Sequence, residues 1–434
     1  MSRKPAPPRQ SGPQPRARRW MWLAAWPVVA AMALSNEPTP LYVLWQRQIG
    51  FTAATVTLIY AGYIAGLLIT LSVGGPLADR YGRRPVLLPG LVLALVATVL
   101  FITADSVAVL GLARLLSGIS VGAVLSAGMA AVSDLAPEGD KSLGSLIAST
   151  SMVAGAAFGP LLTGVLSQTL PAPAVTVFVV QLFLLVAALL LVLRMPLPRT
   201  AHGQGATSGR WLRLPSAPRP NRRALGVSLI VFAPAITATG FVLSLGPALL
   251  SQLLDTDNRL FSGGLIFLLF AAATLIQFAV RRLRIPALFQ LGVLLTVASM
   301  AALVAAVALA WVPLLLAAAV LSGLGQGASQ LGGLSTLAAE VPAARLGEAN
   351  AALTAGGYLL AGTLPVADGF LSDAAGLTTA TTVFGIVVAL LATLGSLTAR
   401  AHNHHTPSQS AERSCAPAPE RVAHDAPSRR EANS

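Results

Sequence analysis

GGPLADRYGRRP, residues 74–85, stands between two long apolar runs. Read residue by residue, it is a tight turn at a membrane surface. Gly75 permits close helix approach, Asp79 ends one helix and Gly82 makes the turn, while Arg80, Arg83 and Arg84 put positive charge at the headgroups. Topogenic charge alone would account for the arginines. It explains neither the acid nor the glycines.

Composition extends this reading outward. Of 434 residues, 55% are hydrophobic and 10% charged, with mean hydropathy +0.72, which leaves too little polar surface to cover a soluble domain. A bilayer core about 30 Å thick takes roughly 20 apolar residues per helix. Such windows fall at about 20–43, 54–77, 85–104, 107–132, 143–167, 174–194, 224–250, 261–280, 285–308, 312–338, 347–370 and 375–398. The sequence thus predicts an all-α integral membrane protein of twelve transmembrane helices. Its first span follows a polar tail and ends in no small-residue cleavage site, so it reads as a retained helix. Cys415, the single cysteine, lies in a polar tail and excludes an internal disulfide.

Charge gives the orientation. Of the 29 Lys and Arg residues, Arg47 and Arg259 fall in loops on one side and Arg114 inside the fourth span; the rest gather in the opposite loops and the two tails. The positive-inside bias puts both termini in the cytoplasm. Topology and anionic lipid therefore account for the net charge of +13, and no nucleic-acid partner is needed. The expected organisation is a cytoplasmic N-tail (1–19), a six-helix half (20–194), a flexible linker rich in Pro, Gly and Arg (195–223), a second half (224–398) and a disordered C-tail (399–434). His402, His404 and His405 in that tail lack Cys or acidic ligands at fixed spacing, so no metal site is expected.

The halves are related. LSGISVGAVLSAG (116–128) matches LSGLGQGASQLGG (321–333), and GPLLTGVLS (159–167) matches LPVADGFLS (364–372), both displaced by 205 without a gap. Six-plus-six repeats enclose a site near the midplane, about which the halves rock.

With these residues in view, the chain resembles the major facilitator superfamily. Its loop signature, G-x-L-x-D-R-x-G-R-R, is met by Gly75, Leu77, Asp79, Arg80, Gly82, Arg83 and Arg84. The resemblance implies that Asp79 is a cytoplasmic latch engaging a helix of the other half when the site faces outward. LARLLSGISVGA resembles the superfamily's R-x-x-x-G-x-x-x-G element through Arg114, Gly118 and Gly122. GAAFGPLLTG resembles the antiporter signature G-x-x-x-G-P-x-x-G-G through Gly155, Gly159, Pro160 and Gly164, with Thr163 replacing one Gly. This last motif implies export by exchange with protons. In the second half, FAVRRLRIPALF keeps the arginines of the loop but neither acid nor Gly.

Within the spans, Glu37 in LSNEPTPLY needs an explanation, since a charge near the midplane costs about 2.5–3.5 kcal/mol and must avoid lipid. It lies about 15 residues, or roughly 22 Å, from the inner face; Arg114 lies about 9 residues, or roughly 13 Å, inward from the outer one. The two are therefore expected to face a cavity and one another at comparable depth. A carboxyl so placed is drawn toward neutrality by desolvation and toward charge by a guanidinium, so its protonation can switch as the cavity changes sides. A static ion pair fixing helix packing is the alternative. Gln277, Gln326, Gln330 and Asn350 are candidate cavity residues, or bridges between helices, and Asp368 is a second protonatable group or a rim charge.

The expected function is proton-coupled export of a small molecule by alternating access in the bacterial cytoplasmic membrane. The proton gradient drives it, with no cofactor, metal or catalytic residue, and the protein is a monomer in contact with lipid. A proton-linked uptake symporter is the alternative on the same fold. A membrane enzyme lacks the His and Cys it would need inside the spans, and a transport-dead sensor predicts no flux.

Overall fold

The computed structural model describes residues 14–137, 140–197, 218–255 and 258–403. The parts of both tails and of the linker outside these ranges, with the tail histidines and Cys415, lie outside the described residues.

The described residues are helical throughout, in two six-helix halves. The first comprises α1 (Gln14–Asn36), extended by a 3₁₀ turn (Thr39–Leu41) and short α2 (Tyr42–Ile49), then α3 (Ala53–Tyr81) and α4 (Arg84–Ile102). Its fourth span is α5 (Val107–Ala123), one turn of π-helix (Val124–Gly128) and α6 (Met129–Asp134); α7 (Lys141–Thr169) and α8 (Pro173–Arg194) complete it. The second repeats the plan with α9 (Arg222–Ser244), extended by α10 (Gly246–Leu254), α11 (Arg259–Ala279), α12 (Ile285–Ala308), α13 (Val312–Glu340), α14 (Ala343–Ala375) and α15 (Leu377–Asn403). Helix α1 begins at Gln14, inside the stretch read from the sequence as tail.

Ten of these spans are long and apolar enough to cross a bilayer by composition alone. The other two, α1 and α14, are the helices that carry Asn36, Asn350, Asp368 and Asp373. Both are sheltered by neighbours, α1 by α7 and α8, and α14 by α3, α9 and α15. A helix shielded in this way needs less apolar surface than one facing lipid.

Two faces of the bundle are defined by its turns. The near face holds Gly82, which closes α3 at φ +94°, where a residue with a Cβ would be strained. The far face holds Gly50 and Gly376, also at positive φ. There α2 packs against α10 across the two halves, and Trp45 of α2 stacks on Phe101 and Phe178 at 5.9 and 6.1 Å. That stack fixes α2 and, one turn earlier, Tyr42.

Candidate functional site

Helix α5 is laid against α3 through glycines. A Cβ on Gly118 would come within 2.9 Å of the Tyr63 carbonyl carbon, and one on Gly122 within 2.7 Å of Thr70 Cβ. This approach sets Arg114, one turn earlier, between two rings: its guanidinium carbon is 5.4 Å from the centroids of both Tyr42 and Tyr63. Arg114 is fully buried. Its Nε donates to Tyr42 Oη at 2.6 Å, Nη1 to the Ser35 carbonyl at 2.6 Å and Nη2 to Thr39 Oγ1 at 3.4 Å. The Ser35 carbonyl is available because α1 ends at Asn36: Pro38, three residues on, brings no N–H, and from Thr39 the chain passes into the 3₁₀ turn. A fork of donors and two π faces thus hold the cation.

Glu37 is as deeply buried, at 1% exposure, but it is not the partner of Arg114. No ion pair joins them among the described residues, and Glu37 Oε2 has no hydrogen-bond partner. The opposing pair expected from the sequence is corrected by helix geometry. At about 100° per residue, Ser35 and Thr39 turn toward α5 while Glu37 falls round the axis from them. Its backbone N–H still bonds to the Ala33 carbonyl at 3.1 Å, so it continues the α1 turn. Along that side α1 meets α7: a Cβ on Gly155 would come within 2.6 Å of Met32 Cβ, and one on Gly159 within 2.8 Å of Ala33 Cα. Thr163 follows Gly159 by one turn on α7, as Glu37 follows Ala33 by one turn. Thr163 is fully buried and its Oγ1 also lacks a partner.

The antiporter-like motif therefore works in two directions. Gly155 and Gly159 seat α7 on α1, while Pro160 and Gly164 seat it on α11 of the other half, where a Cβ on Gly164 would come within 2.8 Å of the Arg259 carbonyl oxygen. The sequence signal for the second role was the repeat: Gly369, the partner of Gly164, packs on α3 in the same way.

The near-face loop is built differently from its sequence reading in two respects. Gly75 has open space where a Cβ would sit, and it is Gly74 that lies close to a neighbour, 2.7 Å from Ser126 Oγ in the π-helical turn. Arg83 and Arg84 bind protein as well as facing the surface. Arg83 Nε pairs with Asp134 Oδ2 at 3.2 Å, and Arg84 donates to the Leu193 carbonyl at the end of α8. Arg80 lies over the Tyr81 ring at 5.4 Å. Asp79 falls within α3, which runs on to Tyr81; its side chain lies outside the described residues.

Candidate residues of the second half are dispersed. Gln326 Nε2 donates to Gln330 Oε1 at 3.3 Å along α13, leaving Gln326 Oε1 without a partner; Asn350 Oδ1 on α14 also has none. Gln277 is half-buried on α11. Asp368 is 5% exposed with Oδ2 unpartnered, next to Gly369 where α14 meets α3. Among the described residues each half thus buries one acid, Glu37 just after its first helix and Asp368 on its fifth. A separate apolar groove of about 580 Å³ runs between α9, α14 and α15, lined by Ile230, Leu359 and Leu394 among others. Those three are exposed, and neither acid lines the groove.

The partners of Arg114 were not singled out in the sequence. Tyr42 and Tyr63 stand in apolar runs that look like ordinary span. The one usable signal was the Pro-Thr-Pro break, which frees carbonyls for a distant donor.

Comparison with known proteins agrees with this architecture. Residues 21–313 match the sequence profile of the Major Facilitator Superfamily. The chain is 26% identical over 129 residues to quinolone resistance protein NorA of Staphylococcus aureus (strain Mu50), covering 30% of this chain and 33% of NorA. It is 40% identical over 83 residues to an uncharacterised transporter of Rickettsia felis, covering 19% of this chain and 20% of that protein. These matches span a third or less of each curated relative. Among solved structures, a bacterial homologue of the human lysosomal transporter Spinster, inward-facing and unoccupied, superposes with TM-score 0.69 at 15% identity, over 89% of this chain and 98% of that one. Nucleoside transporter NupG does so with TM-score 0.68 at 13% identity, over 88% and 99%.

Proposed function

Because the chain belongs to the major facilitator superfamily, we propose that it exports a small molecule, a drug or metabolite, in exchange for protons by alternating access across the bacterial cytoplasmic membrane. The observation that carries this reading is Glu37, a buried carboxyl with an oxygen lacking any partner. It directly follows α1, which packs on α7, the helix of the antiporter-like motif. The similarity to NorA supports export. A carboxyl of this kind can hold a proton while substrate is absent and release it when the walls rearrange. Arg114, held by Tyr42, Ser35 and Thr39, keeps a fixed positive charge in the same half. The amides Gln277, Gln326, Gln330 and Asn350 offer hydrogen bonds without charge, which suits neutral to cationic lipophilic substrates over multivalent anions.

Accumulation in inside-out vesicles tests direction. An exporter concentrates substrate inside them when the lumen is acidic, and an uptake symporter does not. A resistance screen in an efflux-deficient host would supply the substrate.

The positive-inside bias supports a cytoplasmic near face. With Cys415 replaced by Ser, cysteines introduced at Gln46 or Asn258 are expected to react with an impermeant thiol reagent outside intact cells, and one at Gly205 is not. Outside labelling at position 205 would reverse the orientation.

For the loop motif, Asp79→Asn is expected to leave insertion intact and to slow transport severalfold, because topogenesis does not require the acid. Wild-type flux at equal expression would reduce GGPLADRYGRRP to a charge cluster.

A further inference from the structure

Closure of the far face is built from the sequence repeat. Gln168 and Asp373 stand at the ends of α7 and α14, the fifth helix of each half, at the same displacement of 205 as the matched motifs. Each reaches into the opposite half and accepts from an amide that opens the second helix there. Asp373 Oδ1 and Oδ2 accept from Ala53 N at 3.0 Å and Ala54 N at 3.2 Å, at the start of α3. Gln168 Oε1 accepts from Arg259 N at 3.4 Å, at the start of α11. The first N–H groups of a helix have no partner within it; here the other half supplies one. Beneath each contact lies a matched glycine. A Cβ on Gly369 would come within 2.9 Å of Ala54 Cα, and one on Gly164 within 3.1 Å of Leu260 Cα. On the α7 side, Arg259 also donates through Nη2 to the Ser167 carbonyl at 2.8 Å, so its cation meets the negative end of that helix.

We propose that Gln168 and Asp373 are a paired gate that holds the far face shut by capping the second helix of the opposite half. A cap made within one half survives rocking of the halves. These cross the boundary, so they exist in one state and are lost in the other, and they bias the equilibrium by their own strength. The two are unequal. Asp373 brings a full negative charge to the positive end of α3 and accepts twice, whereas Gln168 brings a neutral amide and accepts once. The proposal rests on alternating access between the halves and is independent of Glu37 and of proton coupling.

The test uses the full chain with Cys415→Ser and one reporter, Ile64→Cys, buried behind the gate where α3 meets Gly362 of α14. Modification by an impermeant maleimide is timed in right-side-out and in inside-out vesicles. Gln168→Ala with Asp373→Ala is expected to speed labelling from the far face by about tenfold, the loss of two caps, one of them charged. Asp373→Asn, which keeps one acceptor oxygen, is expected to speed it by about threefold. The acceleration must appear in one vesicle orientation only, and which one reads the membrane orientation separately. An unchanged far-face rate, or equal acceleration from both faces, would overturn the gate. If the double variant gives little folded protein, Asp373→Asn decides alone: a wild-type rate refutes the proposal.

Discussion

Glu37→Gln is expected to abolish uphill, proton-driven accumulation of substrate while leaving substrate binding and downhill exchange in place. The change keeps volume and hydrogen-bonding capacity and removes only titration. Because Glu37 forms no ion pair with Arg114, the substitution does not strand a buried cation. Folded yield should therefore match wild type. Proton release on substrate binding, followed in detergent with a pH dye, is the decisive measurement. Equal release from wild type and Glu37→Gln would remove this carboxyl from coupling and leave Asp368 as the remaining buried acid with an unpartnered oxygen among the described residues.

Arg114→Ala should instead act on the fold. It leaves Tyr42 Oη and the Ser35 carbonyl without their donor inside a wholly buried site and removes a cation held between two rings. A loss of about 3 kcal/mol is expected, from the unsatisfied groups together with the lost cation–π contacts. Thermal unfolding in detergent should show it. Arg114→Lys should recover little, since an ammonium cannot span Tyr42, Ser35 and Thr39 as the planar fork does. Combining Arg114→Ala with Glu37→Gln separates the two views of these charges. A direct pair predicts that the double variant recovers stability lost by either single change. The geometry described above predicts additivity, with the instability of Arg114→Ala and the uncoupling of Glu37→Gln both retained.

The sequence by itself determined the class, the number of spans and the two-fold plan. Hydropathy is local, since each roughly 20-residue apolar run must cross the bilayer on its own. The displacement of 205 between LSGISVGA and LSGLGQGA, or between Gly164 and Gly369, is likewise visible without coordinates. It also marked Glu37, Arg114 and the glycines, because charge and small residues in an apolar run stand out. Tertiary structure decided which way each side chain points and which partner it meets. Depth along a helix can be counted from the sequence, but direction around it cannot, so Glu37 and Arg114 share a level without sharing a contact. The partners of Arg114 come from a helix end, a 3₁₀ turn and a second helix that only folding brings together. Gln168 and Asp373 look like ordinary polar residues at helix ends; only the packing of one half against the other turns them into caps on its helices.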